Sequence, residues 1–337
     1  MQLSVVIITK NEVSRLRLCL ASVDESLKHL GASDGEVIVV NDGSNDSTEK
    51  DLTDAQSRLS LRVISTPISQ GRSSARNLGA TLARGERLLF LDGDTMVSPL
   101  CFVRHVQAHN QSEDPCIFRG EVFHFRQTRF FSDPQTGEPY PEYSTRPPSE
   151  DDLISELDIR TKFDEVSGRA TPGIYPGLVP RSLATLEASA LRNKQLNHPL
   201  WMTVTAHNLS VARALFTEVG GFDERFDMNE HRDLALTLQE QHGVVVRLVE
   251  GATSYHLCHA SRWRDPLEML KRWEPLFLEK HNFKEARLLT FFWMTLAQSD
   301  TLPESLRIRS IEELIERAQG DISSFDDYRR TCHIFTA

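Results

Sequence analysis

Leu88-Leu89-Phe90-Leu91-Asp92-Gly93-Asp94 is the stretch on which the fold of this 337-residue chain turns. Four apolar residues in a row, ended by turn-forming residues, suit a strand buried on both faces. Lone carboxylates are costly to bury, so Asp92 and Asp94 belong at the exposed end of that strand, paired or facing a cation. A hard divalent cation prefers carboxylate oxygen, as does a bridge between protein and diphosphate. Gly93 permits a sharp turn and close backbone approach. Taken alone, the tripeptide is equally an ordinary strand-to-loop turn.

Strands and helices alternate on the N-terminal side of this run. Leu3–Thr9 is a continuous apolar, β-branched run, and Leu16, Leu20, Val23, Leu27 and Leu30 follow at helical spacing. Glu36–Val40 predicts a second buried strand, a helix resumes after Ser47-Thr48, Leu61–Ser65 predicts a short strand and Ser73–Ala83 a helix. The order β-α-β-α-β-α-β implies an α/β fold with a doubly wound, mostly parallel sheet. Ligands of such sheets bind beyond the carboxyl ends of the strands.

Beyond residue 126 the character changes. Eight of the fifteen prolines fall between Phe131 and Pro180, and Ser132–Glu165 carries ten acidic against three basic residues. We divide the chain into 1–126, a lid or inserted subdomain over 127–200, a second half of the sheet domain over 201–262, and a helical region over 263–337. In the latter parts Asp233–Gln241 predicts a helix, Val244–Val249 a strand, and Pro266–His281, Lys284–Gln298 and Pro303–Ala318 three helices. The stripe Leu306, Ile308, Ile311, Leu314 and Ile315 predicts packing or a subunit contact, and with it a homo-oligomer joined through the C-terminal helices.

Net charge is −10 and hydrophobic residues make up 39%. A basic nucleic-acid surface and an anionic membrane surface are disfavoured, because both rely on clustered Lys and Arg. Five cysteines without a C-x-x-C pair argue against a disulfide framework or zinc ribbon, and for a reducing compartment. Neither a signal peptide nor a membrane span is evident, so the expected location is cytoplasmic. No G-x-G-x-x-G, Walker loop or G-x-S-x-G motif is present.

Asn41-Asp42-Gly43-Ser44 ends the second strand as Asp92-Gly93-Asp94 ends the fourth. A carboxylate there could accept from the N3–H of a uracil ring, or the stretch could be a turn and helix cap. Arg76, in Gly71-Arg72-Ser73-Ser74-Ala75-Arg76-Asn77-Leu78-Gly79, would be placed to reach a base or phosphate, or would be a solvated helix arginine.

Ser4–Glu12, Val40–Ser44 with Asp46-Ser47-Thr48, Ala75–Gly79 and Leu91–Asp94 together resemble, in order and spacing, the nucleotide-sugar half of family-two glycosyltransferases with the GT-A fold. The resemblance resumes at His207-Asn208-Leu209-Ser210 and Val219–Phe226, which are similar to the family's acceptor-side helix and turn. It leaves 127–200 and most of the chain beyond 262 unexplained. It implies that Thr9 and Glu12 flank the nucleotide, that Asp42 reads uracil, and that Arg76 lies beside the base. Asp92 would face ribose or metal, and Asp94 would bind Mn2+ or Mg2+, whose charge neutralises the departing nucleoside diphosphate.

In Glu230-His231-Arg232-Asp233 the family's usual general-base Asp is replaced by His231. Either His231 is the base, or Glu230 takes the proton while His231 orients it. Asp233 reads as a helix N-terminal acid that complements the macrodipole. After the strand Val244–Val249 the resemblance implies one metal- or diphosphate-binding histidine, and His256 is preferred. His256 and His259 would not share a face of a strand, so only one of them is expected at the site.

The function implied is an inverting, metal-dependent transfer from a nucleotide sugar, UDP-linked by preference, to a glycan, natural product or peptide acceptor. Two alternatives remain: a sugar nucleotidyltransferase, and a non-catalytic nucleotide-sugar-binding module that has lost its base.

Overall fold

The computed structural model describes residues 1–57, 59–172, 191–192, 199–259, 266–298 and 311–319. Four parallel strands build the N-terminal half of the sheet: β1 (Leu3–Thr9), β2 (Gly35–Asn41), β3 (Leu61–Ser65) and β4 (Arg87–Asp92), in the order β3-β2-β1-β4. Helices α1 (Val13–Leu30), α2 (Thr48–Gln56) and α3 (Arg72–Thr81) connect them, as the alternation predicts. The apolar runs are continuous because both faces are covered. Val6, Ile38, Leu88 and Phe90 enter one core, while Val5, Ile7, Val39, Leu89 and Leu91 enter the other.

The rest of the sheet is mixed. Helix α4 (Cys101–Gln111) leads to β6 (Cys116–Phe125), and β10 (Leu209–Ala212) inserts antiparallel between β4 and β6. Strand β11 (Val245–Leu257) runs parallel to β6, and β5 (Thr95–Val97) closes that edge antiparallel to β11. The two-residue β9 (Thr171–Pro172) also pairs with β6. The strand expected to stop at Val249 continues to Leu257, because Glu250-Gly251 forms a break in register between Val249 and Thr253 and not a turn. That extension carries His256 into the sheet.

The described part of the Pro-rich excursion folds onto the sheet domain. It contains the hairpin β7 (Phe131–Asp133) and β8 (Glu138–Pro139), followed by α5 (Glu156–Thr161) and α6 (Phe163–Ser167). Ile154, Ile159 and Val166 pack with Leu18 and Ala21 of α1 and with Phe125, Tyr255 and Leu257 of the sheet. Arg160 Nη1 reaches Asp24 and Glu25 of α1 at 2.5 and 2.8 Å.

Arg15 binds the same region from within. Its guanidinium donates to the carbonyls of Leu257, Ser132, Thr128, Phe131 and Cys258 at 2.8–3.2 Å. The Cys258 carbonyl also accepts from Thr128 Oγ1 at 2.8 Å, so the arginine and the threonine hold this segment together.

Helices α7 (Arg213–Glu218) and α8 (Glu230–His242) and the C-terminal α9 (Pro266–Lys280), α10 (Phe283–Gln298) and α11 (Ile311–Gln319) complete the described chain. Trp201, Trp273, Phe277, Phe292 and Leu314 share the largest core cluster with the sheet. Leu314 is buried in it and Ile315 packs against it, so these two stripe residues belong to this chain's own interior. Leu306, Ile308 and the expected helical stretch 303–310 lie outside the described residues. Among the described residues no helix is long and apolar enough to cross a membrane.

Candidate active site

Strands β1 and β4 are adjacent and in register, so their carboxyl ends emerge side by side. Thr9 Oγ1 donates to Glu12 Oε1 at 3.2 Å, and the backbone N–H of Gly93 donates to the Ile8 carbonyl at 2.8 Å. A Cβ on Gly93 would lie 2.8 Å from both Glu12 Oε1 and Thr9 Oγ1. The glycine is therefore needed for close approach of the β1 loop to the Asp92–Asp94 corner.

Asp94 Oδ2 lies 3.2 Å from His256 Nε2 and 3.2 Å from His259 Nε2. The expectation that only one histidine arrives is corrected here. Strand β11 ends at Leu257, so strand alternation no longer governs position 259. Asp92 Oδ1 accepts from Arg76 Nη2 at 2.7 Å, and Arg76 Nη1 donates to Glu230 Oε1 at 2.7 Å.

The corner carries an excess of negative charge. Burial and the neighbouring Asp94 and Asp92 push the Glu12 carboxyl well above its ordinary range. Burial alone would raise Asp94 too, but His256 and His259 outweigh it and hold that carboxyl well below its usual value. Burial disfavours a charged His256, yet Asp94 and Cys258 raise it well above an ordinary imidazole. Ligands about 2.1 Å from an octahedral ion stand about 3.0 Å apart, so the 3.2 Å spacings around Asp94 suit a divalent cation. One carboxylate and two imidazoles favour Mn2+ over Mg2+ on ligand chemistry.

Two cavities meet at this corner. The larger, about 630 Å3, is lined by Thr9, Glu12, Asp42, Asp92 and Asp94 together with Lys10, Asn11 and Tyr140. The smaller, about 180 Å3, is lined by Arg76, His124, His207, Glu230, His231 and His256. Arg72, Asp92, Asp94 and His259 border both. A further cavity of about 260 Å3 beneath α1 lies against Arg17, Asp51 and Arg160 and holds none of the candidate residues.

The structure alters several assignments. Arg76, expected beside the base, is 1% exposed and does not line the larger cavity; it bridges two carboxylates at the smaller one. Asp42 does line the larger cavity, but its oxygens accept from Ser69 Oγ, Gln70 N and Gly71 N at 2.6–3.1 Å, so it orders the loop at the cavity's edge. Asp233 is buried between His281 Nε2 at 2.9 Å and Lys280 Nζ at 2.8 Å. It therefore anchors α9 as well as standing in the first turn of α8.

Glu230 and His231 differ sharply. Arg232 Nη1 donates to His231 Nε2 at 2.7 Å, so that ring nitrogen's lone pair is occupied. Burial and the adjacent Arg232 lower His231 to about 4, leaving it neutral. Its Nδ1 stands 3.6 Å from Glu230 Oε1, beyond hydrogen-bond reach. Burial would raise Glu230, but the Arg72 and Arg76 guanidiniums help to hold it well below the usual carboxylate range and thus ionised. Its Oε2 is buried with no hydrogen-bond partner among the described residues. Asn229, just before it, adopts φ 64°, a left-handed conformation that turns the chain into α8 beside the cavity.

Sequence reasoning missed Arg72 and passed over His259 in favour of His256. Arg72 follows Gly71 in the first turn of α3, a placement that could have singled it out as facing an anionic ligand.

A curled, mostly parallel sheet with two cavities meeting at an Asp-x-Asp corner defines the class of GT-A glycosyltransferases. Residues 4–156 match the sequence model of Glycosyl transferase family 2. The uncharacterized glycosyltransferase YfnE of Bacillus subtilis (strain 168) is 27% identical over 271 residues, 77% of this chain and 66% of that protein. Other curated relatives that align with most of this chain are spanned over less than half their length.

Two solved structures share the fold. S. aureus TarS 1-349 in complex with UDP-GlcNAc has a TM-score of 0.55 at 16% identity, covering 97% of this chain and 81% of that one. GalNAc-T7 with UDP, GalNAc and Mn2+ has a TM-score of 0.53 at 17% identity, covering 99% and 54%.

Proposed function

We propose that the protein transfers a sugar from a UDP-sugar to a hydroxyl-bearing acceptor with inversion, using a divalent ion held by Asp94, His256 and His259. The observation that carries this reading is the meeting of two cavities at the Asp92–Asp94 corner. The larger accommodates the nucleotide donor, bordered by Thr9, Glu12 and Asp42. The smaller receives the acceptor. When bound, the ion supplies positive charge against the leaving diphosphate.

The chain's own residues do the rest. Glu230 Oε2 accepts the acceptor's hydroxyl proton. Arg76 fixes Glu230 and Asp92 in one arrangement, so the proton acceptor and the donor-side carboxylate cannot move independently. Arg72, bordering both cavities, faces the negative charge of the donor. His231, held through Nε2 by Arg232, shapes the wall beside Glu230. A single displacement needs a base on the side opposite the leaving group; Glu230 borders the smaller cavity and not the larger, while Asp94 stands where the two meet. Glu230 supports the transferase over a non-catalytic module, since it offers a carboxylate oxygen at the smaller cavity.

UDP release from a panel of UDP-sugars, with and without Mn2+, tests the reading. Mn2+-dependent transfer or hydrolysis is expected. Pyrophosphate formation would point to a nucleotidyltransferase, and tight binding without turnover to a binding module.

A further inference from the structure

Behind the Asp94 corner lies a second cluster of metal-binding side chains. His124 on β6 and His256 on β11 are direct partners in the parallel ladder, and Cys258, just past the end of β11, brings its Sγ alongside both rings. His124 Nδ1 and His256 Nδ1 stand 3.2 Å apart. Cys258 Sγ lies 3.5 Å from His256 Nδ1 and 3.9 Å from His124 Nδ1. A tetrahedral zinc ion with Zn–N about 2.05 Å and Zn–S about 2.3 Å sets its ligands about 3.3 Å apart for N···N and about 3.6 Å for N···S. The three spacings match that template to within a few tenths of an ångström.

The ligands are also held in place. The Cys258 carbonyl accepts from Arg15 Nη2 at 3.2 Å and from Thr128 Oγ1 at 2.8 Å. His124 and Cys258 are each 1% exposed, whereas His124 and His256 line the smaller cavity, which gives an ion a route in and a fourth position facing that space.

We propose that His124 Nδ1, His256 Nδ1 and Cys258 Sγ form a Zn2+ site that shares His256 with the Asp94 corner. Zn2+ binds the thiolate, and the Cys258 thiol proton leaves to solvent. The sharing has a consequence that rests on the proposed function. With Nδ1 on zinc, the neutral ring keeps its proton on Nε2, which then donates to Asp94 Oδ2, 3.2 Å away. That nitrogen is no longer available to the ion at the corner, so zinc at one site weakens Mn2+ at the other.

Cobalt spectroscopy on the metal-free full-length protein tests the site without reference to turnover. Co2+ should give the visible bands of a tetrahedral ion and a near-ultraviolet thiolate-to-cobalt charge-transfer band, both bleached by Zn2+. Cys258→Ser should lose the charge-transfer band and bind Zn2+ at least about tenfold more weakly, a loss no smaller than removal of an outer-shell partner brings. Its Mn2+-dependent UDP binding, measured by calorimetry, should stay near that of the parent protein and so report a folded chain. Loading the parent with Zn2+ should weaken that Mn2+-dependent binding, and the Cys258→Ser variant should resist the effect. A missing charge-transfer band, a band that survives Cys258→Ser, or Mn2+ binding indifferent to zinc overturns the proposal. If UDP and Mn2+ fail to bind under any condition, the transferase reading falls while the cobalt result still decides the zinc site.

Discussion

Arg76 grips Asp92 and Glu230 together, and this limits what any single substitution at the site can do. Glu230→Gln keeps the shape and the Arg76 contact but removes the charge that takes the proton. Its kcat should fall by about 10²–10⁴, with the KM for the UDP-sugar changed only a few-fold. His231→Ala should lose much less, because Arg232 already occupies Nε2. Steady-state UDP release reads both, and a reversed ranking would move the base to His231. At this scale the positions of Asp42, Asp92 and Asp94 at or just beyond the end of a buried strand were legible from the apolar runs before them, whereas Thr9 and Glu12 were singled out only by the family resemblance. The role of Arg76 was not, since its Glu230 partner lies 154 positions away and no local pattern announces it.

Among the elements, α4 and β10 are joined by a buried network whose protons can be placed. Asn208 Nδ2 donates to the carbonyls of Glu121 and Ala252, so its Oδ1 must accept from His105 Nε2, while Ser210 Oγ donates to His105 Nδ1. The ring is neutral, and burial lowers it from 6.5 to about 4. A depressed histidine means that the unfolded chain binds the proton first as pH drops. The associated stability is present above about pH 6.5, is lost as pH falls from there to about 4, and amounts to on the order of 3 kcal/mol. In urea unfolding across that window, His105→Gln should flatten the pH dependence by up to one proton's worth of slope. Equal slopes in the two proteins would dismiss His105 as the source.

The elements themselves were unevenly legible. Strands β1 to β4 and helices α1 to α3 carry clean periodicity and local turn signals. Strand β10 is four residues long and owes its place between β4 and β6 to partners distant in sequence. Strand β11 runs straight through Gly251, which reads as a stop.

For the molecule as a whole, the cation proposed at the Asp94 corner should contribute to stability. Removing divalent ions with EDTA should abolish UDP release, and Mn2+ with UDP should raise the melting temperature more than either alone, as mutual stabilisation of donor and ion requires. Calorimetric scans check this, and simple additivity would disconnect the ion from the nucleotide. Arg15→Met would remove a buried donor shared by five carbonyls and should reduce the unfolding free energy by roughly 3 kcal/mol. Denaturant titration measures it.

That arginine also sets an order of events. It belongs to the first helix, yet it clasps Leu257 and Cys258, between the two imidazoles that flank Asp94. A growing or refolding chain cannot complete its cation seat until the last long strand has docked against the first helix. Manganese capture should therefore be among the final signals in a refolding trace, and a chain truncated before residue 245 should hold its early strands yet remain blind to the ion.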